Sequence, residues 1–511
     1  MNEPSGTRTP GLLRRRHAPD WLILALACVA QFMVILDVSV VNVALPSIGH
    51  DLHYSPVGLQ WVVNAYVLTF AGFLLLGGRA ADSLGRRRVF LLGLVLFVGT
   101  SIVGGFAQST GWLTAARAVQ GIGGAALSPA TLTIVITTFS GRRLARALGL
   151  WSAMGGAGGA IGVLLGGVLT AELSWRWVLF INGPIGLVTG VAAIIYLGEA
   201  RGTGPRQRLD IPGAVTVTAG LAALVYAIVS TDQYSWGSAH TLGWLAAGVV
   251  LLAAFLVLQL RGKAPLMPLR LFRMRGVSGA NFVMLLVGAV FFSMWYFLSL
   301  YLQDVLGYGA LRAGLAFVPM GIAIIIGAQA TSRAMPRTGI RPLLFAGTVL
   351  AAAGFFWLSR IGPASHYWSA VFGPGVIVAL SLGVLFPPLA AAATMSVGRS
   401  EAGLASGVLN TARQVGGSLG LAVLATVASA HTHALERAGL APADALAQGF
   451  ARAFFLASVL GVAAFAAAFV VPARSGRSAP PTAPAVEPAT PGDTLSRTLP
   501  TGMDPRSAAD R

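Results

Sequence analysis

Two charged residues interrupt long apolar runs. Residues 35 to 46 read "ILDVSVVNVALP", which places Asp37 inside an apolar stretch from Trp21 to Leu45, and Arg117 lies within a second such stretch at 112 to 135. A carboxylate near the centre of a membrane helix costs on the order of 2.5 to 3.5 kcal/mol on insertion scales, so it needs a partner or a task. If the first helix ends near Leu45, Asp37 lies about eight residues, roughly 12 Å, from that end. Arg117 lies about five residues, roughly 8 Å, from the matching end of its own helix. The depths agree, and an Asp37 to Arg117 ion pair is the leading expectation, with Gln120 and Asn42 as supporting polar groups. A carboxylate that is buried but can meet or leave a guanidinium holds or releases a proton according to whether the pair is made. The alternative is a permanent interhelix pair that never titrates.

The elements that must position these residues follow from composition. The chain has 511 residues, 55% hydrophobic and 10% charged, against about 25% charged in a soluble domain, and its mean hydropathy is +0.75. An all-α polytopic membrane protein is expected. Apolar windows of spanning length fall near 20–44, 57–77, 88–108, 112–135, 146–169, 176–197, 211–230, 240–260, 278–302, 312–332, 342–360, 366–389, 404–427 and 450–471, giving 14 transmembrane helices. The basic residues before Trp21 resemble those of a signal peptide, but the apolar run continues to Leu45, so an uncleaved first helix is expected. The single cysteine, Cys28, excludes a disulfide framework or thiolate cluster and reads as a buried structural thiol.

Charge distribution sets the orientation. With a cytoplasmic N-terminus, 28 of the 35 Lys and Arg residues fall in tails and inner loops, Arg176, Arg312, Arg360 and Arg437 fall outside, and Arg117, Arg413 and Arg452 fall within spans. This is the positive-inside pattern, so both termini are expected in the cytoplasm and the protein in the cell membrane. It also accounts for the net charge of +18 without nucleic acid, because "RRR" at 14–16, "GRRR" at 85–88 and "RMR" at 273–275 flank helices.

An internal repeat divides the chain. "GLWSAMGGAGGAIG" at 149–162 aligns with "GVLNTARQVGGSLG" at 407–420, pairing four glycines at an offset of 258. More weakly, "DSLGRR" at 82–87 aligns with "PRTGIR" at 336–341. The expected organisation is a cytoplasmic N-terminal tail (1–19), an N-terminal six-helix bundle (20–197), a two-helix insert (198–262), a C-terminal six-helix bundle (263–473) and a disordered cytoplasmic tail (474–511). Asp37 and Arg117 share the first bundle. In the fifth span Gly158, Gly162 and Gly166 recur every fourth residue, a stripe that lets helices approach closely.

Taken together, "LDVSVVNVALPSI", "GGRAADSLGRRR", "RAVQGIGGAA", the fifth-span glycines, "WRWVLFINGPIG" and "GLASGVLNTARQVGGSLG" resemble the major facilitator superfamily, specifically its 14-spanner drug:proton antiporters, over residues 20 to 471. Two positions depart from the family pattern. Ser83 follows Asp82 where arginine is usual, and Val163 follows Gly162 where the antiport motif has proline.

The resemblance implies two pseudo-symmetric bundles, alternating access and proton-coupled export of hydrophobic drugs or antibiotics. It implies no cofactor beyond the proton gradient, each entering proton being driven by about 2.3 kcal/mol per 100 mV. Residues Gly78, Asp82, Gly85, Arg86 and Arg87 would form a cytoplasmic gate loop that latches the bundles, with Gly149, Gly158, Gly162, Gly166 and Gly167 as the fifth-helix array. In the superfamily the first helix of each triplet lines the cavity. The ninth span would thus offer Phe291, Phe292, Met294, Trp295 and Tyr296 to a hydrophobic or aromatic drug-like substrate. Lipid-facing packing is an equal alternative for most of these positions. Protons and the lipid bilayer are the other expected partners, and the expected form is a monomer. A proton-coupled uptake symporter remains a rival reading, favoured by Val163. A membrane-embedded enzyme is a weaker one, since no nucleophile with a base and no GxxxxGK[ST] motif is found. "HTH" at 431–433 is expected in an outer loop near Glu436, as exposed histidines rather than metal ligands.

Overall fold

Apolar segments in lipid must satisfy their backbone groups internally, and a helix does so segment by segment. In the computed structural model, which describes residues 19–198, 209–262, 265–395, 397–398 and 401–472, fourteen helices are long and apolar enough to cross a membrane. They are α1 (Asp20–Leu52), α2 (Gly58–Leu84), α3 (Arg86–Gly105), α4 (Thr110–Thr138), α5 (Gly141–Glu172), α6 (Trp177–Tyr196) and α7 (Ile211–Ser230). The rest are α8 (Ala239–Arg261), α9 (Arg275–Val305), α10 (Ala310–Thr338), α11 (Ile340–Leu358), α12 (Tyr367–Met395), α13 (Ala402–Arg437) and α14 (Pro442–Ala468). No strand occurs among the described residues. The basic cluster at 14–16 and the tail at 474–511 lie outside them.

Three expectations are corrected. Helix α1 does not end near Leu45 but runs through Pro46 to Leu52, so Asp37 sits near the middle of a 33-residue helix. The missing N–H of a proline is tolerated there because neighbouring groups re-satisfy the backbone. The expected loop between the second and third helices shrinks to Gly85, because Gly78 and Asp82 belong to the end of α2 while Arg86 and Arg87 open α3. The histidines at 431–433 lie within the last turns of α13 rather than in a loop, and His433 Nδ1 stands 3.7 Å from Asp232 Oδ1 at the end of α7.

The weaker of the two repeats has a geometric counterpart. Gly85 between α2 and α3 has φ 100°, and Gly339 between α10 and α11 has φ 80°, a region that disfavours side chains. Two residues after each glycine an arginine donates to a carbonyl at the end of the last helix of its own bundle: Arg87 Nη2 to Ile194 O at 2.7 Å and Arg341 Nη2 to Phe469 O at 2.5 Å. The halves thus share turn and tether.

In the first half α1 packs on α5, α4 on α2 and α3, and α6 on α1 and α3. In the second half α9 packs on α13, α12 on α10 and α11, and α14 on α11 and α13. The halves meet along α5 with α10 and α2 with α13, and α7 lies against α2 and α13 with α8 outside it.

Candidate functional site

Asp37 and Arg117 are joined. Arg117 Nη1 donates to Asp37 Oδ2 at 2.6 Å, and both side chains are buried, at 0% and 2% exposure. Helical spacing supplies the next partner, since Gln120 lies three residues after Arg117 on the same face of α4. Its Oε1 accepts from Arg117 Nη1 at 2.8 Å, and its Nε2 donates to Asp37 Oδ1 at 2.7 Å. Arg117 Nε donates to Val62 O at 3.1 Å, and the guanidinium carbon stands 4.4 Å from the centre of the Tyr66 ring, both on α2. Charge-assisted bonds of this kind each contribute about 1.5 to 3 kcal/mol, which offsets part of the cost of burying two charges.

The remaining donor is Asn182 on α6, where the expectation had placed Asn42. Asn182 Nδ2 donates to Asp37 Oδ1 at 3.0 Å and approaches Ser101 Oγ on α3 at 3.0 Å, while Ser101 Oγ donates to Leu179 O at 2.8 Å. Asn42 turns away, its Nδ2 bonded to Val38 O at 2.8 Å in its own helix. The signal for Asn182 was present in the sequence: it is an amide six residues into the sixth apolar window, at a depth similar to that of Arg117. The preceding residues tie the same two helices together, because Trp175 Nε1 and Arg176 Nη1 donate to Asp51 Oδ2 at 2.9 and 2.7 Å. Asp37 therefore accepts from α4 twice and α6 once, and every donor depends on the helices staying in register.

The glycines of α5 divide by position. A Cβ on Gly158 would stand 2.8 Å from Phe32 O, one on Gly162 2.7 Å from Ser39 Cβ, and one on Gly166 2.8 Å from Val40 O, so these three let α5 lie directly on α1, the helix that carries Asp37. Gly167 faces the other half, where its Cβ would lie 2.8 Å from Ala310 O on α10, while Gly149 meets open space. At the gate position Arg79 donates to Pro265 O, just ahead of α9, and a Cβ on Gly78 would lie 3.7 Å from Pro129 on α4.

The profile of the Major Facilitator Superfamily matches residues 27–421. The chain belongs to this superfamily. It is 45% identical over 462 residues to a cephamycin export protein of Amycolatopsis lactamdurans, covering 90% of this chain and 93% of that protein. It is 38% identical to the puromycin resistance protein pur8 of Streptomyces alboniger, with the same two coverages, and 35% identical to a tetracenomycin C resistance and export protein of Streptomyces glaucescens, covering 83% and 78%. Among solved structures, a bacterial homolog to the human lysosomal transporter Spinster, inward-facing and occupied, shares the fold with a TM-score of 0.64 at 17% identity, covering 88% of this chain and 96% of that one.

Within this major facilitator fold the aromatic side chains of α9 do not act as one wall. Met294 and Tyr296 are fully buried, and Phe292 packs where Gly417 leaves room on α13. Phe291 and Trp295 are only half-buried and join a strip across three helices, with Phe386 of α12 at 6.1 Å from Phe291 and Phe317 of α10 at 5.0 Å from Trp295. Tyr296 Oη donates to Pro56 O at 3.3 Å, Ser299 Oγ to Asn42 O at 2.7 Å and Gln303 Nε2 to Val43 O at 2.9 Å. These bonds close the halves against each other at the end away from the arginine-rich loops. Towards those loops a Cβ on Gly149 would meet nothing within 4 Å, while Arg79 still reaches Pro265 O.

Proposed function

We propose that the protein is a proton-coupled exporter of hydrophobic drugs or antibiotics, a 14-spanner drug:proton antiporter working by alternating access in the cell membrane, with both termini in the cytoplasm. The observation that carries the coupling is the buried Asp37 carboxylate, bonded to Arg117, Gln120 and Asn182 from two other helices. That donor set fits the ion.

In this proposal the closed loop-poor end belongs to the state that faces the cytoplasm. In that state Asp37 is paired and proton-free, and substrate loads. Opening to the outside parts the halves, lets α1 shift against α4 within the first bundle, loosens the Asp37 to Arg117 pair and lets the carboxylate take a proton. The names of the relatives support the substrate class, since each concerns export of or resistance to an antibiotic.

In everted vesicles with an imposed proton gradient, wild type should accumulate a drug found by a susceptibility panel, and Asp37→Asn should bind it but fail to concentrate it. Gradient-driven accumulation by Asp37→Asn at the wild-type level would sink the proton role. Drug movement in the opposite direction would favour the symporter.

A further inference from the structure

Three arginines lie within spans, and the structure separates them. Arg117 is spent on Asp37, while Arg452 of α14 is exposed, its guanidinium carbon 5.9 Å from the Phe455 ring. Arg413 of α13 is half-buried and its only hydrogen bonds among the described residues go to Asn410 Oδ1, from Nε at 3.1 Å and from Nη2 at 2.7 Å. Among the described residues it has no carboxylate partner, and Nη1 has no acceptor.

The position is not demanded by the fold. In the repeat, α5 carries Gly155 and Gly156 where α13 carries Arg413 and Gln414. A membrane helix that keeps an uncompensated guanidinium does so where the charge meets water or a ligand. Asn410, one turn earlier, clamps two of the nitrogens and leaves the fork oriented, the arrangement suited to a planar acid.

The surroundings define the rest of the ligand. Arg413 lies 5.8 Å above the Phe386 ring, which is the first ring of the strip formed by Phe386, Phe291, Trp295 and Phe317. Phe291, Trp295, Phe386 and Arg413 are all half-buried and adjoin one another in series, with the buried Phe317 backing Trp295. Beside it on α13 the buried Gln414 Oε1 has no hydrogen-bond partner.

The geometry points to Arg413, held by Asn410, as the anchor for the carboxylate of an amphipathic organic acid whose apolar body lies along the Phe386, Phe291 and Trp295 rings. This rests on the export reading and narrows it, from hydrophobic compounds in general to those carrying an anionic group.

The test uses the full-length protein in nanodiscs and two probes that differ only at one carboxyl, cefoxitin and its methyl ester. Wild type should bind the acid about tenfold or more tighter than the ester, the scale of one charge-assisted contact. Arg413→Gln should erase that gap while leaving ester affinity unchanged, and Arg413→Lys should retain part of it. Equal affinity of acid and ester for wild type, a gap that survives in Arg413→Gln, or no binding of the acid overturns the anchor. Everted-vesicle transport keeps the two readings apart. Uphill export without acid preference removes only the anchor, and acid preference without uphill movement removes only the export reading.

Discussion

At the scale of single residues, Asp37 and its partners are a buried network whose members are unequal. Removing Arg117 leaves a carboxylate with no counter-charge in an apolar interior, which costs about 3 to 5 kcal/mol in comparable buried pairs. Arg117→Ala should therefore lower the melting temperature of the detergent-purified protein strongly. Asn182→Ala removes one bond to Asp37 Oδ1 and should cost about 1.5 to 3 kcal/mol. Asn42→Ala should change little, because that amide bonds only within its own helix. A thermal-shift series that ranked Asn42→Ala with Asn182→Ala would contradict the network as drawn. The ion pair was legible in the sequence because charge within an apolar run is conspicuous and depth is simple arithmetic. Asn182 was not legible in the same way, because it lies on neither of the helices that carry the charges, and sequence distance between α1 and α6 gives no hint that they touch. The depth estimate itself was off: helices do not stop where hydropathy falls, and α1 continues seven residues past Leu45 to Leu52.

At the scale of elements, the fifth-span glycines act by what they lack. The spacing of Gly158, Gly162 and Gly166 was readable as a contact stripe. That it lies on α1 was not, since any neighbour accepts a smooth face. A branched side chain at Gly162 must push α5 off Ser39 and the Leu36 carbonyl, and with it the helix that carries Asp37. Gly162→Leu should thus abolish drug transport and lower stability by about 1 to 3 kcal/mol, the usual cost of overpacking. Gly149→Leu, facing open space, should be folded and stable. Transport assays and melting curves on the two variants side by side make the comparison. Equal damage at both sites would mean that the α1 contact does not explain the stripe, since leucine favours a helix more than glycine does. Gly85 and Gly339 teach the complementary lesson: they shared only a glycine and one arginine with each other in sequence, too little to carry a repeat. The matching positive φ and the matching arginine tethers supply what a short alignment could not.

At the scale of the whole molecule, the two halves touch unevenly, and that unevenness is what an alternating mechanism must reverse. At the loop-poor end Ser299 Oγ reaches Asn42 O, Gln303 reaches Val43 O, and backbones of α5 and α10 meet at Gly167 with Ala310 and at Gly314 with Val163. Position 163 is therefore an interface residue, buried at 3%, and its carbonyl would lie 2.8 Å from a Cβ on Gly314. A proline there would delete a helix hydrogen bond and bend α5. Valine keeps its backbone N–H, and the closure rests on small residues and backbone contact. If the seam opens in every cycle, fixing it must stop transport without harming the fold. In a Cys28→Ser background, cysteines replacing Ala160 and Gly321, whose Cβ atoms would stand 3.3 Å apart across this seam, should crosslink in the resting protein, and drug transport should cease on oxidation and return on reduction. Full transport by the oxidised, crosslinked protein would show that this end never opens, and the resting contacts would then be a permanent joint between the halves rather than a gate.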